Sequence, residues 1–264
     1  MNIFIDTDIG SDVDDTIALL YALQHLSVKG ITTVHGCAEK RVQIAEKILK
    51  AYKKRIPVYA GRDQPLVSEK IYLYGHEGHG ILNGTEPAAK EGAVSFLEKR
   101  VGLYDSIIGI GPVTNIALYL QHTPVQPKQL YLMGGVLEKS GRYYPNYEKH
   151  NFKVDPDATD IVFHARVPVT ILTTEVAKTV WMTYEEFEQF PKTQVFDYIR
   201  QNAKDILAAR KQENAYMYDP LTIMMLVHPE YFSTKTKKNI TVTTSINAKA
   251  AKKNLVETLW KSLL

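Results

Sequence analysis

Asp6, Asp8, Asp12, Asp14 and Asp15 place five carboxylates within ten residues near the start of the chain, in the run Ile5-Asp6-Thr7-Asp8-Ile9-Gly10-Ser11-Asp12-Val13-Asp14-Asp15. Side chains this close repel one another, and beside an apolar core they stay ionised only if something cancels the charge. Protonation of some of them would do so, as would a hard, oxygen-preferring cation such as Ca²⁺ or Mg²⁺. The simpler alternative is a solvated loop in which Asp14 or Asp15 caps the next helix, but capping employs one Asp or at most two. The crowding favours a metal site.

Further groups with chemical capacity follow at intervals. Gly109-Ile110-Gly111-Pro112-Val113-Thr114-Asn115 leaves one apolar run and opens a helical one, so that backbone groups, including an exposed carbonyl, can approach a ligand or a cation closely. Gly134-Gly135 closes another apolar run. Gly75-His76-Glu77-Gly78-His79-Gly80 is a glycine-rich loop with two imidazoles; without cysteine partners it suits a mobile loop over a cleft better than zinc. Asn151 precedes Asp155-Pro156, where Asp155 is placed to cap a helix, and Tyr218-Asp219-Pro220-Leu221 repeats that arrangement. Taken alone, Asp219 reads as a helix cap, with a metal contact as the alternative.

Strand and helix patterns alternate around these groups. Strands are expected over residues 2–5, 30–34, 57–59, 106–110, 129–133, 169–172 and 240–244, and an apolar helix after the acidic loop from Ile17 to Leu23. Further helices are expected over 38–52, 88–101, 114–120, 155–165 and 184–190. Such alternation predicts an α/β fold, an open and mostly parallel sheet with helices on both faces. Ligands then bind outside the carboxyl ends of the strands, where the acidic loop would lie.

Bulk properties narrow the class. The 264 residues are 45% hydrophobic, enough for one large core, and no linker or repeat marks a boundary, so a single domain over 1–264 is expected. A net charge of +3 does not indicate nucleic-acid binding. The lysines from Lys235 to Lys253 read as a solvated face, the later ones on a helix that buries Ala251, Leu255, Leu259 and Leu263. One cysteine excludes an internal disulfide, and neither a leader nor a membrane-length apolar run is visible; a soluble, cytoplasmic protein is expected.

Taken together, the motifs resemble the inosine-uridine-preferring nucleoside hydrolase family from residue 3 to about residue 230. That family carries Asp-x-Asp-x-Gly-…-Asp-Asp, Gly-Pro-x-Thr-Asn, Met-Gly-Gly, an Asn before Asp-Pro, and a late Asp-Pro-Leu. Here, in the same order, stand Asp6/Asp8/Gly10/Asp14/Asp15, Gly111–Asn115, Met133–Gly135, Asn151/Asp155/Pro156 and Asp219–Leu221. Each motif is weak by itself; five in order are specific.

The resemblance implies Ca²⁺-dependent hydrolysis of the N-glycosidic bond of a nucleoside to base and pentose, in nucleoside catabolism and salvage. The Ca²⁺ ligands would be Asp8, Asp15, the Ile110 carbonyl and Asp219, with Asp8 also the base that activates water. Asp14 and Asn151 match residues that hold the ribose hydroxyls. Members form dimers and tetramers, so a homo-oligomer is expected, with a small nucleoside rather than nucleic acid or membrane as partner.

The chain also departs from the family pattern. Two extra residues separate the first Asp pair from Asp14-Asp15. Cys37 stands where Asn or Asp is usual near the ribose, Lys149 replaces a ribose-binding Glu with Glu148 beside it, and the stretch after Phe232 is shorter than usual. Tyr74 and Tyr218 stand where His is common. Since a phenol is a poor acid at neutral pH, leaving-group activation should be weak or come from the loop of His76 and His79. Two other readings stay open at this level. One is a Mg²⁺-dependent haloacid-dehalogenase-like phosphatase, which the strand-Asp-x-Asp start permits. The other is a non-catalytic nucleoside or sugar binder, which the altered substrate shell permits.

Overall fold

β1 (Ile3–Thr7) is buried at every position, as a strand covered by helices on both faces must be. We describe the protein from a computed structural model over residues 2–67, 71–137, 143–144 and 150–262. From β1 the chain runs through α1 (Val13–His25), β2 (Val28–Thr33), α2 (Ala38–Ala51), β3 (Val58–Ala60), α3 (Ala93–Arg100), β4 (Ser106–Gly109), α4 (Thr114–His122) and β5 (Gln129–Met133). A small ribbon of β6 (Val136–Leu137) and β7 (Tyr143–Tyr144) follows, then α5 (His150–Val154), α6 (Pro156–His164), β8 (Val169–Leu172) and α7 (Thr174–Ala177). The last third holds β9 (Trp181–Thr183), α8 (Tyr184–Glu188), α9 (Gln194–Arg210), β10 (Asn214–Tyr216), α10 (Tyr218–Val227), β11 (Phe232–Lys237), β12 (Ile240–Ile246) and α11 (Ala248–Lys261).

Eight strands form the central sheet in the order β11-β12-β8-β5-β4-β1-β2-β3, and every pairing in it is parallel except β11 with β12. Two apolar clusters cover its faces. One gathers α1, α2, α9, α10 and α11, and the other α3, α4 and α6. The chain steps from β1 to β2 in one direction and later returns to place β4 on the other side of β1. Helices on either side of that reversal leave a crevice at the carboxyl ends of β1 and β4, the place where open α/β sheets bind ligands.

All seven expected strands lie in this sheet, β5 and β8 with the expected ends and the others with ends shifted by at most two residues. β1 runs on through Asp6 and Thr7, which makes Asp6 a buried strand residue rather than part of the loop. The helix expected from residue 88 begins only at Ala93: Ala60 bridges Glu91, and Gly92 takes a left-handed φ of 95° before the helix starts. The cap of α1 is Asp12, which accepts from the Val13 amide at 2.7 Å; Asp14 and Asp15 fall inside the first turn. Asp155 caps α6 as expected, accepting from the Ala158 amide at 3.1 Å. Asp219 does not cap: α10 begins one residue earlier, at Tyr218. The three carboxylates free of capping, Asp14 and Asp15 on α1 and Asp219 on α10, line the crevice. Lys235 and Lys237 lie on the exposed outer strand β11, while α11 buries Ala251, Leu255 and Leu259, as the lysine-bearing outer face required; Leu263 is outside the described residues. Among the described residues no helix is long and apolar enough to cross a membrane.

Candidate active site

The acidic loop is held from below by a buried polar lattice. Asp6 accepts from Thr32 Oγ1 at 2.5 Å and from Asn115 Nδ2 at 2.8 Å, and burial pushes its carboxyl up to about 7. Thr7 Oγ1 donates to Asp15 Oδ1 at 2.5 Å and accepts from the Ile9 amide at 3.1 Å. Arg41 is fully buried under the loop. Its guanidinium donates to the carbonyls of His35, Asp8 and Ile9 and to Ser11 Oγ. Gly10, at φ 106°, makes the turn that an L side chain would strain.

Above this lattice sit the carboxylates. Asp14, Asp15 and Asp219 are all buried, and an oxygen of each lies within 4.8 Å of the others. Burial raises all three well above the ordinary carboxylate range, and mutual repulsion adds to it: Asp12 acts on Asp14, Asp8 on Asp15, and Asp14 on Asp219. Asp14 gains some relief by accepting from the Asp219 amide at 3.2 Å. Asp8 lies beside Gly111, so closely that a Cβ there would meet the Asp8 amide at 2.9 Å and Oδ1 at 3.0 Å. Asn151 donates to the carbonyls of Ile110 at 3.0 Å and Met133 at 3.2 Å, which fixes its amide over the ends of β4 and β5.

The nearby arginines are already engaged, Arg41 with carbonyls and Ser11, Arg210 with Asp12 and Tyr74. The charge on the buried carboxylates therefore calls for protons or a cation. An all-oxygen donor set fits a hard divalent ion, and the acidic triad can hold one.

The cavity over these groups measures about 290 Å³, the scale of one small ligand. Asp8, Asp14, Asp15, Ile110 and Asp219 line it, together with Asn151, Met133 and Gly134 and with Tyr74, Tyr218, Lys178, Arg210 and Gln212. Of the residues singled out in the sequence, Asp8, Asp14, Asp15, Ile110, Asn151, Tyr218 and Asp219 thus converge. Burial and the Asp14 charge hold the Tyr218 hydroxyl well above the usual phenol value.

The remaining candidates sit elsewhere. Cys37 precedes α2 without lining this cavity. His76 Nε2 lies 3.0 Å from the Ser11 carbonyl with its ring against Tyr74, and His79 pairs with Asp205 at 2.7 Å; both border a neighbouring surface depression. Glu148 and Lys149 lie outside the described residues. Arg41, Lys178 and Arg210 were not singled out in the sequence. Arg41 had left a sign: it stands four residues before Ala45, in the buried stripe of α2, where a charge must have a polar partner. Arg210 left none, because α9 carries no motif.

At the switch point of an open, mostly parallel sheet lies a cavity lined by carboxylates, three of which could hold a metal ion. The chain belongs to the inosine-uridine preferring nucleoside hydrolase family, whose profile matches residues 3–258. It is 32% identical over 257 residues to the pyrimidine-specific ribonucleoside hydrolase RihA of Photobacterium profundum, covering 88% of this chain and 81% of that one. It is 28% identical over 255 residues to probable uridine nucleosidase 1 of Oryza sativa subsp. japonica, covering 88% and 78%. The purine-preferring ribonucleoside hydrolase from Gardnerella vaginalis shares the fold, with a TM-score of 0.84, 22% identity and 99% of both chains covered. The protein is therefore an enzyme, a nucleoside hydrolase that divides nucleosides into base and ribose, and the phosphatase reading falls away.

Proposed function

We propose that the enzyme hydrolyses the N-glycosidic bond of a ribonucleoside with Ca²⁺ bound by Asp8, Asp15, Asp219 and the Ile110 carbonyl. Asp14 and Asn151 bind the ribose hydroxyls, and Asp8 takes the proton of the attacking water. The observation that carries this reading is the packing of buried, mutually repelling carboxylates around one cavity. When bound, the ion neutralises that charge, orients water and the ribose diol, and makes the water more acidic.

Each residue contributes a separable piece of the chemistry. The glycosidic bond breaks through an oxocarbenium-like centre, and a carboxylate wall beneath it stabilises the developing positive charge. Asp8, fixed between β1 and Gly111, is positioned to accept a proton from a nucleophile in the cavity. Asn151 spends its amide hydrogens on Ile110 and Met133, which leaves its carbonyl to meet a ribose hydroxyl. Cys37 and Glu148 stand as substrate-binding residues, and homo-oligomer formation as an expectation, on the family resemblance; His76 and His79 rest on the glycine-rich loop that carries them, which borders a neighbouring depression.

Ribose release from a panel of nucleosides, with metal-stripped protein and after adding back Ca²⁺ or Mg²⁺, tests the proposal. Calorimetry on stripped protein should show one Ca²⁺ bound. Ribose release that is equal in stripped and reloaded enzyme would overturn the metal assignment.

A further inference from the structure

Asp12, between Gly10 and Asp14 of the acidic signature, caps α1 with Oδ1 and accepts from Arg210 Nη1 with Oδ2. Arg210 Nε donates to Tyr74 Oη at 3.1 Å, and the guanidinium lies over the Tyr74 ring at 5.1 Å. Tyr74 in turn stacks on His76, whose Nε2 lies against the Ser11 carbonyl of the same loop. The Arg210 Nη2 group makes no hydrogen bond among the described residues, and Arg210 and Tyr218 line the cavity together. The guanidinium is thus held by Asp12 and Tyr74 with donors unused among the described residues, and it lines the cavity along with Tyr74 and Tyr218, which stand where His is common.

A departing base needs either a proton or a partner for its negative charge. No imidazole lines the cavity among the described residues, and an ordinary phenol is a weak acid at neutral pH. An arginine stays charged at any working pH and offers a fork of donors, which suits it to the second role and not to the first.

We propose that Arg210 is the leaving-group residue of this enzyme: it hydrogen-bonds the departing base and balances the negative charge that forms there. Resting on the hydrolase reading above, the step balances without a general acid. The C1′–N bond breaks with its electron pair passing to the base nitrogen. Water oxygen bonds to C1′, its proton goes to Asp8, and the anionic base takes a proton from solvent after release. Asp12 and Tyr74 are positioning residues, acting only through the guanidinium. The chemistry favours bases whose anions carry charge on ring-carbonyl oxygens, which accept well from a guanidinium.

The test compares uridine and inosine with 4-nitrophenyl riboside, whose leaving group is already a stable anion, in wild type, Arg210→Met and Arg210→Lys. Losing one preorganised donor at a developing anion costs about 10²–10³-fold in kcat. Arg210→Met should therefore lose at least tenfold more kcat/KM on uridine than on the nitrophenyl substrate, in kcat rather than KM. Arg210→Lys should recover part of that difference, since it keeps the charge without the fork. The wild-type kcat on uridine should show no alkaline limb between pH 7 and 9 of the kind a neutral-range general acid produces. Equal losses on all substrates, with Arg210→Lys no better than Arg210→Met, would reduce Arg210 to a structural clasp for Asp12 and overturn the proposal. Wild type that is folded yet releases ribose from no substrate would instead overturn the hydrolase reading itself, and the proposal with it.

Discussion

Replacing Arg41 should unfold the acidic loop before it disturbs anything else. Its guanidinium makes four hydrogen bonds, to three carbonyls and one hydroxyl, in a site with no solvent exposure. Bonds from a charged donor contribute about 1.5–3 kcal/mol each. Simple addition overshoots, because the loop can relax and water can reach groups beside the cavity. Stripping one partner from a buried charged network typically costs about 3–5 kcal/mol, and that is the expected loss for Arg41→Met. Arg41→Lys keeps the charge and one or two of the bonds, so about half that loss is expected. At about 2–4 °C per kcal/mol for a domain of this size, Arg41→Met should melt roughly 6–20 °C below wild type. Urea unfolding with an unchanged slope is the assay, with ribose release alongside, since the Asp8 carbonyl is one of the four acceptors. If both variants unfold within ~0.5 kcal/mol of wild type, Arg41 does not hold the loop and the reasoning is wrong.

Other predictions follow from the same site. Asp8→Asn keeps the side-chain size but removes the proton acceptor, so turnover should fall by about 10²–10⁴-fold with the circular dichroism spectrum unchanged; near-normal turnover would move the base elsewhere. Asp14, Asp15 and Asp219 have carboxyls raised by the fold, so the stripped protein binds more protons folded than unfolded. Its stability should be fullest below the unfolded carboxylate range and be lost as pH rises through the raised values, whereas added Ca²⁺ should lift the neutral-pH melting point; a stripped protein that gains stability from pH 5 to pH 8 contradicts this. Gly111→Ala puts a Cβ within 3.0 Å of Asp8 Oδ1 and 2.9 Å of the Asp8 amide. Overpacking of this kind costs about 1–3 kcal/mol and should displace Asp8, so kcat should fall more than stability does, and unaltered kcat would show that the two segments have room to part.

Much of this protein was legible in its residues. The strand–helix alternation predicted the parallel sheet because each element's periodicity reports its own burial, and that signal is local. The carboxylate crowding predicted a site that calls for protons or a cation, and Asp8, Asp14 and Asp15 do line one cavity, although Asp6 is drawn down into β1. Five ordered motifs pointed to the family, most of them turns at strand ends and one, Asn151 to Pro156, the junction of α5 and α6. Even the buried position of Arg41 was written in the stripe of α2.

What only the tertiary structure decided is which distant segments meet. Asp219 joins Asp14 and Asp15 because α10 packs along α1, and no local pattern encodes that approach. Asp12 proved to be the cap of α1 and Asp219 not a cap at all, since one residue of helix register decides whether a carboxylate faces the backbone or the cavity. Arg210 reaches Asp12 across 198 residues of chain. Its role depends on where the end of α9 lies relative to the acidic loop, a distance set by the packing of α9 against α1 within one apolar cluster.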